Sequence, residues 1–249
     1  MDKVRILGVD VCAVDSLALT RNIAQTVRRR EQTLFPYVNI HAVNIAYTEP
    51  RFRQILNESG NAYCDGEGVR LGAGILGRRL PPRIVLTYYY WELCQALESE
   101  GMSIFLLGSR DEVVVKAVEE TKKRHPHLKV AGYHQGYFQK HGTESEAVVR
   151  QVNESGADIL FVGFGMPLQE YWIEENASKL KVHAILPCGS MIDYAAGTRH
   201  LTPRWMADHG LEWLYRLIQE PSRLWTRYLI GNPLFVLRVL QQRLVKREA

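Results

Sequence analysis

The stretch AYCDGEGV, residues 62–69, sets two carboxylates, Asp65 and Glu67, in a glycine-spaced turn directly after a short apolar run. A carboxylate held at a strand end can take a proton from a substrate hydroxyl, and partial burial would raise its pKa usefully. Gly66 and Gly68 are expected to leave room there for a substrate to approach. The plainer reading of Asp65 is a turn former, since Asp favours such positions on its own account.

Three other apolar runs end in glycine: Gly108-Ser109-Arg110, Gly163-Phe164-Gly165-Met166-Pro167 and Gly189-Ser190. Such loops bring backbone N–H groups and helix starts close to an anion, which suits a nucleotide diphosphate. Each alone could be a tight turn; three in one sheet favour a ligand crevice. No G-x-G-x-x-G opens the first helix and no Walker lysine motif occurs, which disfavours NAD(P) and P-loop chemistry. No acidic D-x-D pair occurs either. Neutralising a diphosphate then falls to cations. Arg216, Arg223 and Arg227 are the candidates, the last two on one helical face. Glu212 and Glu220 stand four residues either side of Arg216 and could simply pair with it.

Positioning these groups requires a scaffold. VRILGV (4–9), NAYC (61–64), MSIFLLG (102–108), LKVAGY (128–133), ADILFVGFG (157–165) and VHAILPCG (182–189) read as strands, and LFPYVNI (34–40) as extended. The last four strands are continuously apolar, as strands buried on both faces are. Helices fit over 16–30, 111–124, 143–155 and 168–180, with another opened by Pro50. The expected fold is α/β, a Rossmann-like, mostly parallel sheet flanked by helices. Residues 1–199 form that core and 200–249 a helical appendage whose helices start near Pro203, Pro221 and Pro233.

The net charge of +4 is uneven. Residues 221–249 carry six bases (Arg223, Arg227, Arg238, Arg243, Lys246, Arg247) and one acid, while residues 1–220 sum to −1. A near-neutral body with a basic tail points to one anionic partner surface and not to nucleic acid. Leu237, Leu240 and Leu244 recur at helical spacing near Trp225, Tyr228 and Phe235, a pattern suited to an anionic membrane surface; packing on the body is the alternative. No apolar run is long enough to span a bilayer, the first residues lack a signal-peptide core, and the four cysteines are scattered. A cytoplasmic protein, peripheral to the inner face of the membrane, is expected.

From about residue 4 to 231 the chain resembles the WecG/TagA/CpsF family of bacterial glycosyltransferases. The resemblance rests on ILGVDV, CDGEGV, FLLGS, GYF, VGFGMPLQE, DYAAG (193–197) and, above all, GLEWLYRLIQEPSRLWTRYL (210–229). It implies inverting, metal-independent transfer of a sugar, typically N-acetylmannosamine, from UDP to N-acetylglucosamine on a polyprenyl diphosphate, with no cofactor beyond the donor. Relatives move glucose or a uronic sugar. It implies Asp65 as general base and places Asn39, Arg83, Gln169, Arg216, Arg223 and Arg227 near the sugar or diphosphate. Gly108, Ser109, Gly163, Gly165 and Met166 would line the nucleotide site, with Tyr137 and Asp193 candidates for the nucleoside. A homo-oligomer is compatible with all of this.

Tyr37 stands where the family usually has threonine, His41 where an acid or amide is common, and Leu86 and Tyr88 where glycine and aspartate often occur. These changes bear on which sugar is transferred. Glu67 and His41 are the alternative bases, and a non-catalytic nucleotide-sugar-binding relative is the alternative function.

Overall fold

The computed structural model describes residues 2–203, 205–206 and 209–248, the last three without side chains. The helix expected from Pro203 therefore falls partly on residues outside the described set, as do the Lys246 and Arg247 side chains.

The larger of two sheets is wholly parallel, with strands β3 (Thr33–Leu34), β6 (Ser103–Gly108), β7 (Lys129–His134), β8 (Ile159–Gly163) and β9 (Ala184–Pro187) in the order β3-β9-β8-β6-β7. The central three are buried on both faces, as their unbroken apolar runs require. β7 is the exception: it lies at the edge and is only partly covered. Helices α1 (Ser16–Arg29), α5 (Leu86–Ser99), α6 (Asp111–Arg124), α7 (Gly142–Ser155), α8 (Leu168–Asn176) and α9 (Met191–Ala195) supply the remaining layers. Asp15 caps α1 by accepting the Ala18 N–H at 2.7 Å.

The smaller sheet, in the order β1-β2-β5-β4, is a separate body with its own core. VRILGV is not one strand. β1 (Lys3–Ile6) turns back through Leu7 and Gly8, both at positive φ, and pairs antiparallel with β2 (Val9–Cys12). Pro36 splits the extended LFPYVNI run between the sheets, β3 joining one and β4 (Tyr37–Val38) the other. β5 (Tyr63–Cys64) lies parallel between β2 and β4. Helices α2 (Ile40–Thr48), α3 (Pro50–Glu58) and α4 (Glu67–Ile75) complete this body.

The C-terminal segment is a helix over Glu212–Gln219, then a continuous helical run from Pro221 through a π-helical turn at Thr226–Ile230 into a terminal helix, Gly231–Glu248. Gly210, at φ +72°, separates the first helix from what precedes it. Pro233 does not restart the chain; it sits near the start of the terminal helix, just after the π-helical turn, within an unbroken helical run. That helix packs on the smaller body. Phe235 and Val239 are fully buried in its core, and Gln242 receives the Leu7 N–H at 2.8 Å. Gly72 of α4 makes this approach feasible, since a Cβ there would meet Phe235 at 2.7 Å. The expected stripe points the other way: Leu237, Leu240 and Leu244 are 58%, 43% and 60% exposed. Among the described residues, no helix is long and apolar enough to cross a membrane.

Candidate active site

Asp65 follows β5 where the two bodies meet, and its carboxylate is held from two sides. The Leu86 N–H, at the start of α5, donates to Oδ1 at 3.2 Å, and Asn39 Nδ2 donates to Oδ2 at 3.4 Å. Asn39 is itself fixed as the N-cap of α2, its Oδ1 accepting the Ala42 N–H at 3.1 Å. The glycines of the turn serve this packing. A Cβ on Gly66 would meet Asn39 at 3.1 Å, and one on Gly68 would overlap Ile40 at 2.2 Å. On their Cβ side the glycines press the turn against the start of α2, while both also line the larger groove described below.

Burial raises the Asp65 carboxyl above its ordinary value, and the Glu212 carboxylate adds to the rise; Arg216 and the two hydrogen bonds oppose it. Glu212 comes from the C-terminal segment and bridges two cations, Arg83 Nη1 at 2.7 Å and Arg216 Nη2 at 2.8 Å. Like Arg83–Glu212, the Arg199–Glu220 pair at 2.8 Å ties the segment to the body.

Two cavities meet at Asn39, His41, Asp65, Arg216, Arg227 and Tyr228. The first is a narrow polar cleft of about 180 Å³ against the carboxyl ends of the parallel strands. Gly165, Met166, Gly189, Ser190, Tyr194 and Arg199 line it from the body, and Arg223 and Arg227 from the C-terminal segment. The second is a larger groove of about 1210 Å³ between α4 and the C-terminal helices, and Arg83 lies on it.

Of the sequence candidates, Asp65, Asn39, Arg83, Arg216, Arg223, Arg227, Gly165 and Met166 line one or both cavities. Gln169 is fully buried behind the cleft, its Oε1 accepting the N–H groups of Gly165 (3.2 Å) and Gly189 (3.0 Å). It fixes both loops from behind. Gly108 and Gly163 let neighbouring strand ends close up: a Cβ on Gly108 would meet the Gly163 carbonyl at 2.6 Å, and one on Gly163 the Gly189 carbonyl at 2.7 Å. Ser109 donates to Asp193 at 3.2 Å beside the cleft. Tyr137 lines neither cavity and is 72% exposed.

The alternative bases fare differently. Glu67 is exposed and paired with Arg70 at 2.8 Å. His41 faces both cavities, but burial, aided by the Arg227 charge, pushes it down to about 4 and leaves a weakly basic neutral ring. Tyr37 presses its hydroxyl against Gly189 in the cleft and is kept protonated by burial. Sequence reasoning missed Glu212 as more than a partner for Arg216, and missed Glu170 altogether. Glu170 is buried behind Gln169, whose Nε2 donates to it at 2.8 Å. Its adjacency to Gln169 was the available signal. Among the described residues, no three His, Cys, Asp or Glu side chains converge as metal ligands.

The sequence profile described as "Glycosyl transferase WecG/TagA/CpsF family" matches residues 4–249. Among curated proteins, the N-acetylglucosaminyldiphosphoundecaprenol N-acetyl-beta-D-mannosaminyltransferase of Staphylococcus aureus (strain MW2) is 28% identical over 240 residues, 95% of this chain and 92% of that one. The Bacillus subtilis (strain 168) protein of the same name is 29% identical over 205 residues, 82% of this chain and 78% of its own. With a matching profile over nearly its whole length and a carboxylate between two cavities at the sheet's carboxyl edge, the chain belongs to the WecG/TagA/CpsF family of glycosyltransferases.

Proposed function

We propose that this enzyme transfers N-acetylmannosamine from a UDP-sugar to N-acetylglucosamine carried on a polyprenyl diphosphate, with inversion and without a metal. The names of the relatives support the sugar and the acceptor. The observation that carries the chemistry is Asp65 held at the junction of the cleft and the groove.

In this reading the donor's diphosphate occupies the cleft beside Arg216, Arg223 and Arg227, and the acceptor sugar enters from the groove. The acceptor hydroxyl oxygen attacks the anomeric carbon as its proton passes to Asp65. The bond to the UDP oxygen breaks on the opposite face, and UDP leaves with the electron pair. Arginine suits that leaving group because its planar fork binds phosphate oxygens bidentately. A carboxyl raised by burial is a stronger base once ionised than a free one. The exposed stripe of the terminal helix lies on an anionic leaflet, which brings the groove to the lipid-linked acceptor.

The test is UDP release with a panel of UDP-sugars, N-acetylglucosaminyl-diphospholipid vesicles and chelator. One donor should turn over, and Asp65→Asn should lower kcat by about 10²–10⁴-fold, the range for losing a general base. Equal turnover by wild type and variant would remove Asp65 from the mechanism.

A further inference from the structure

The groove bears arginines that the chemistry at Asp65 does not use. α4 ends in a Schellman turn: Gly77 sits at φ +72°, its N–H bonds to the Gly74 carbonyl at 3.0 Å, and the Arg78 N–H reaches back to Ala73 at 2.9 Å. Leu80, just beyond, is buried. The two anchors fix the intervening backbone, and Arg78 and Arg79 stand between them at the groove. Both are exposed, and among the described residues neither has an ion-pair partner. Arg70, earlier on α4, also lines the groove; its Nη1 pairs with Glu67 at 2.8 Å, and its Nε is buried without a hydrogen-bond partner among the described residues. The walls beside these cations are apolar: Leu71, 58% exposed, faces the groove from α4, and Val236 and Leu237 from the terminal helix.

A groove with a cationic cluster, apolar walls and one end at Asp65 matches a ligand with an anionic diphosphate between a sugar and a hydrocarbon chain. Resting on the reading above, we propose that Arg70, Arg78 and Arg79 hold the acceptor's diphosphate, with its first isoprenoid units on Leu71, Val236 and Leu237. The sugar then reaches Asp65, and the chain leaves past Leu237 onto the exposed stripe. Anionic phospholipid headgroups offer the same arginines a phosphate, but not one joined to a chain that fills an apolar groove.

The test uses farnesyl diphosphate as a soluble probe, titrated without membranes into the full-length enzyme and into Arg78→Ala/Arg79→Ala. Each lost charged contact is worth about tenfold, so the double variant should bind at least tenfold more weakly, with UDP affinity unchanged. Leu71→Asn, polar but uncharged, should weaken farnesyl diphosphate but not inorganic diphosphate. In the transfer assay the acceptor KM should rise and the donor KM stay. Unchanged farnesyl diphosphate affinity, or a loss confined to anionic vesicles, would overturn the proposal. A wild type that binds the probe through these arginines yet releases no UDP would sink the catalytic reading and keep the groove. Turnover with an acceptor KM indifferent to the arginines would do the reverse.

Discussion

Replacing Glu170 by Gln should stabilise this protein, and more so as the pH rises. The carboxyl is fully buried; Oε1 accepts from Gln169, and Oε2 has no partner among the described residues. Burial pushes it up to about 7 from an ordinary 4.5, with the Gln169 hydrogen bond offsetting part of the rise. Below pH 4.5 the group is protonated in both folded and unfolded chains and contributes no difference. As the pH climbs, the unfolded chain ionises first, so the stability tied to the protonated carboxyl drains away and is gone above about 7. At about 1.4 kcal/mol per pH unit, the gap amounts to about 3 kcal/mol. Glutamine keeps the acceptor for Gln169, sets an amide where the protonated oxygen was, and does not titrate.

Urea melts of both proteins at pH 5 and pH 8 measure this directly. The variant's advantage should be about 1 kcal/mol at pH 5 and about 3 at pH 8 by the same linkage. A difference that stays flat between the two would mean that the carboxyl is not held neutral, and the argument from burial would fail. UDP affinity is the second readout. Gln169 still clamps Gly165 and Gly189 in the variant, so affinity should hold within about twofold, the scale of a substitution that leaves the binding contacts in place.

Two further outcomes follow from the C-terminal segment. Glu212→Gln removes a charge that raises the Asp65 carboxyl, so the acid limb of the kcat/KM profile should move to lower pH; an unmoved limb would detach Glu212 from the base. Leu240→Asp/Leu244→Asp places two charges on the exposed stripe and outside both cavities, so sedimentation with anionic vesicles should fall several-fold with farnesyl diphosphate binding intact. Undiminished sedimentation would rule out this face as the membrane contact.

The parallel sheet was legible because β6, β8 and β9 are covered on both faces and so carry unbroken apolar runs. Its division in two was not. β4 and β5 have two residues each and find one another across some 25 positions, a pairing that no local pattern records. Leu7 in a left-handed turn is an unusual hairpin former, and IVLTYYYWEL, rich in strand-favouring aromatics, became α5 because its apolar face packs into the large core. Deleting residues 200–249 does not isolate membrane docking. With Phe235 and Val239 inside the smaller core, such a deletion would strip that core as well. At the site, Asp65 could be found from its turn, whereas what holds it comes from residue 39, residue 86 and the far segment.

Helix α4 connects these parts. It begins two residues after Asp65, receives Phe235 against Gly72 in its middle, and ends in the turn that sets Arg78 and Arg79. The docked tail in turn belongs to the segment that supplies Glu212, and Glu212 raises the Asp65 carboxyl. A shift of the terminal helix away from Gly72 would open the groove wall at Val236 and Leu237 and loosen the segment carrying Glu212 and Arg216. The Asp65 environment and the groove wall are therefore both linked to the seating of the terminal helix, alongside the Arg83–Glu212 and Arg199–Glu220 ion pairs.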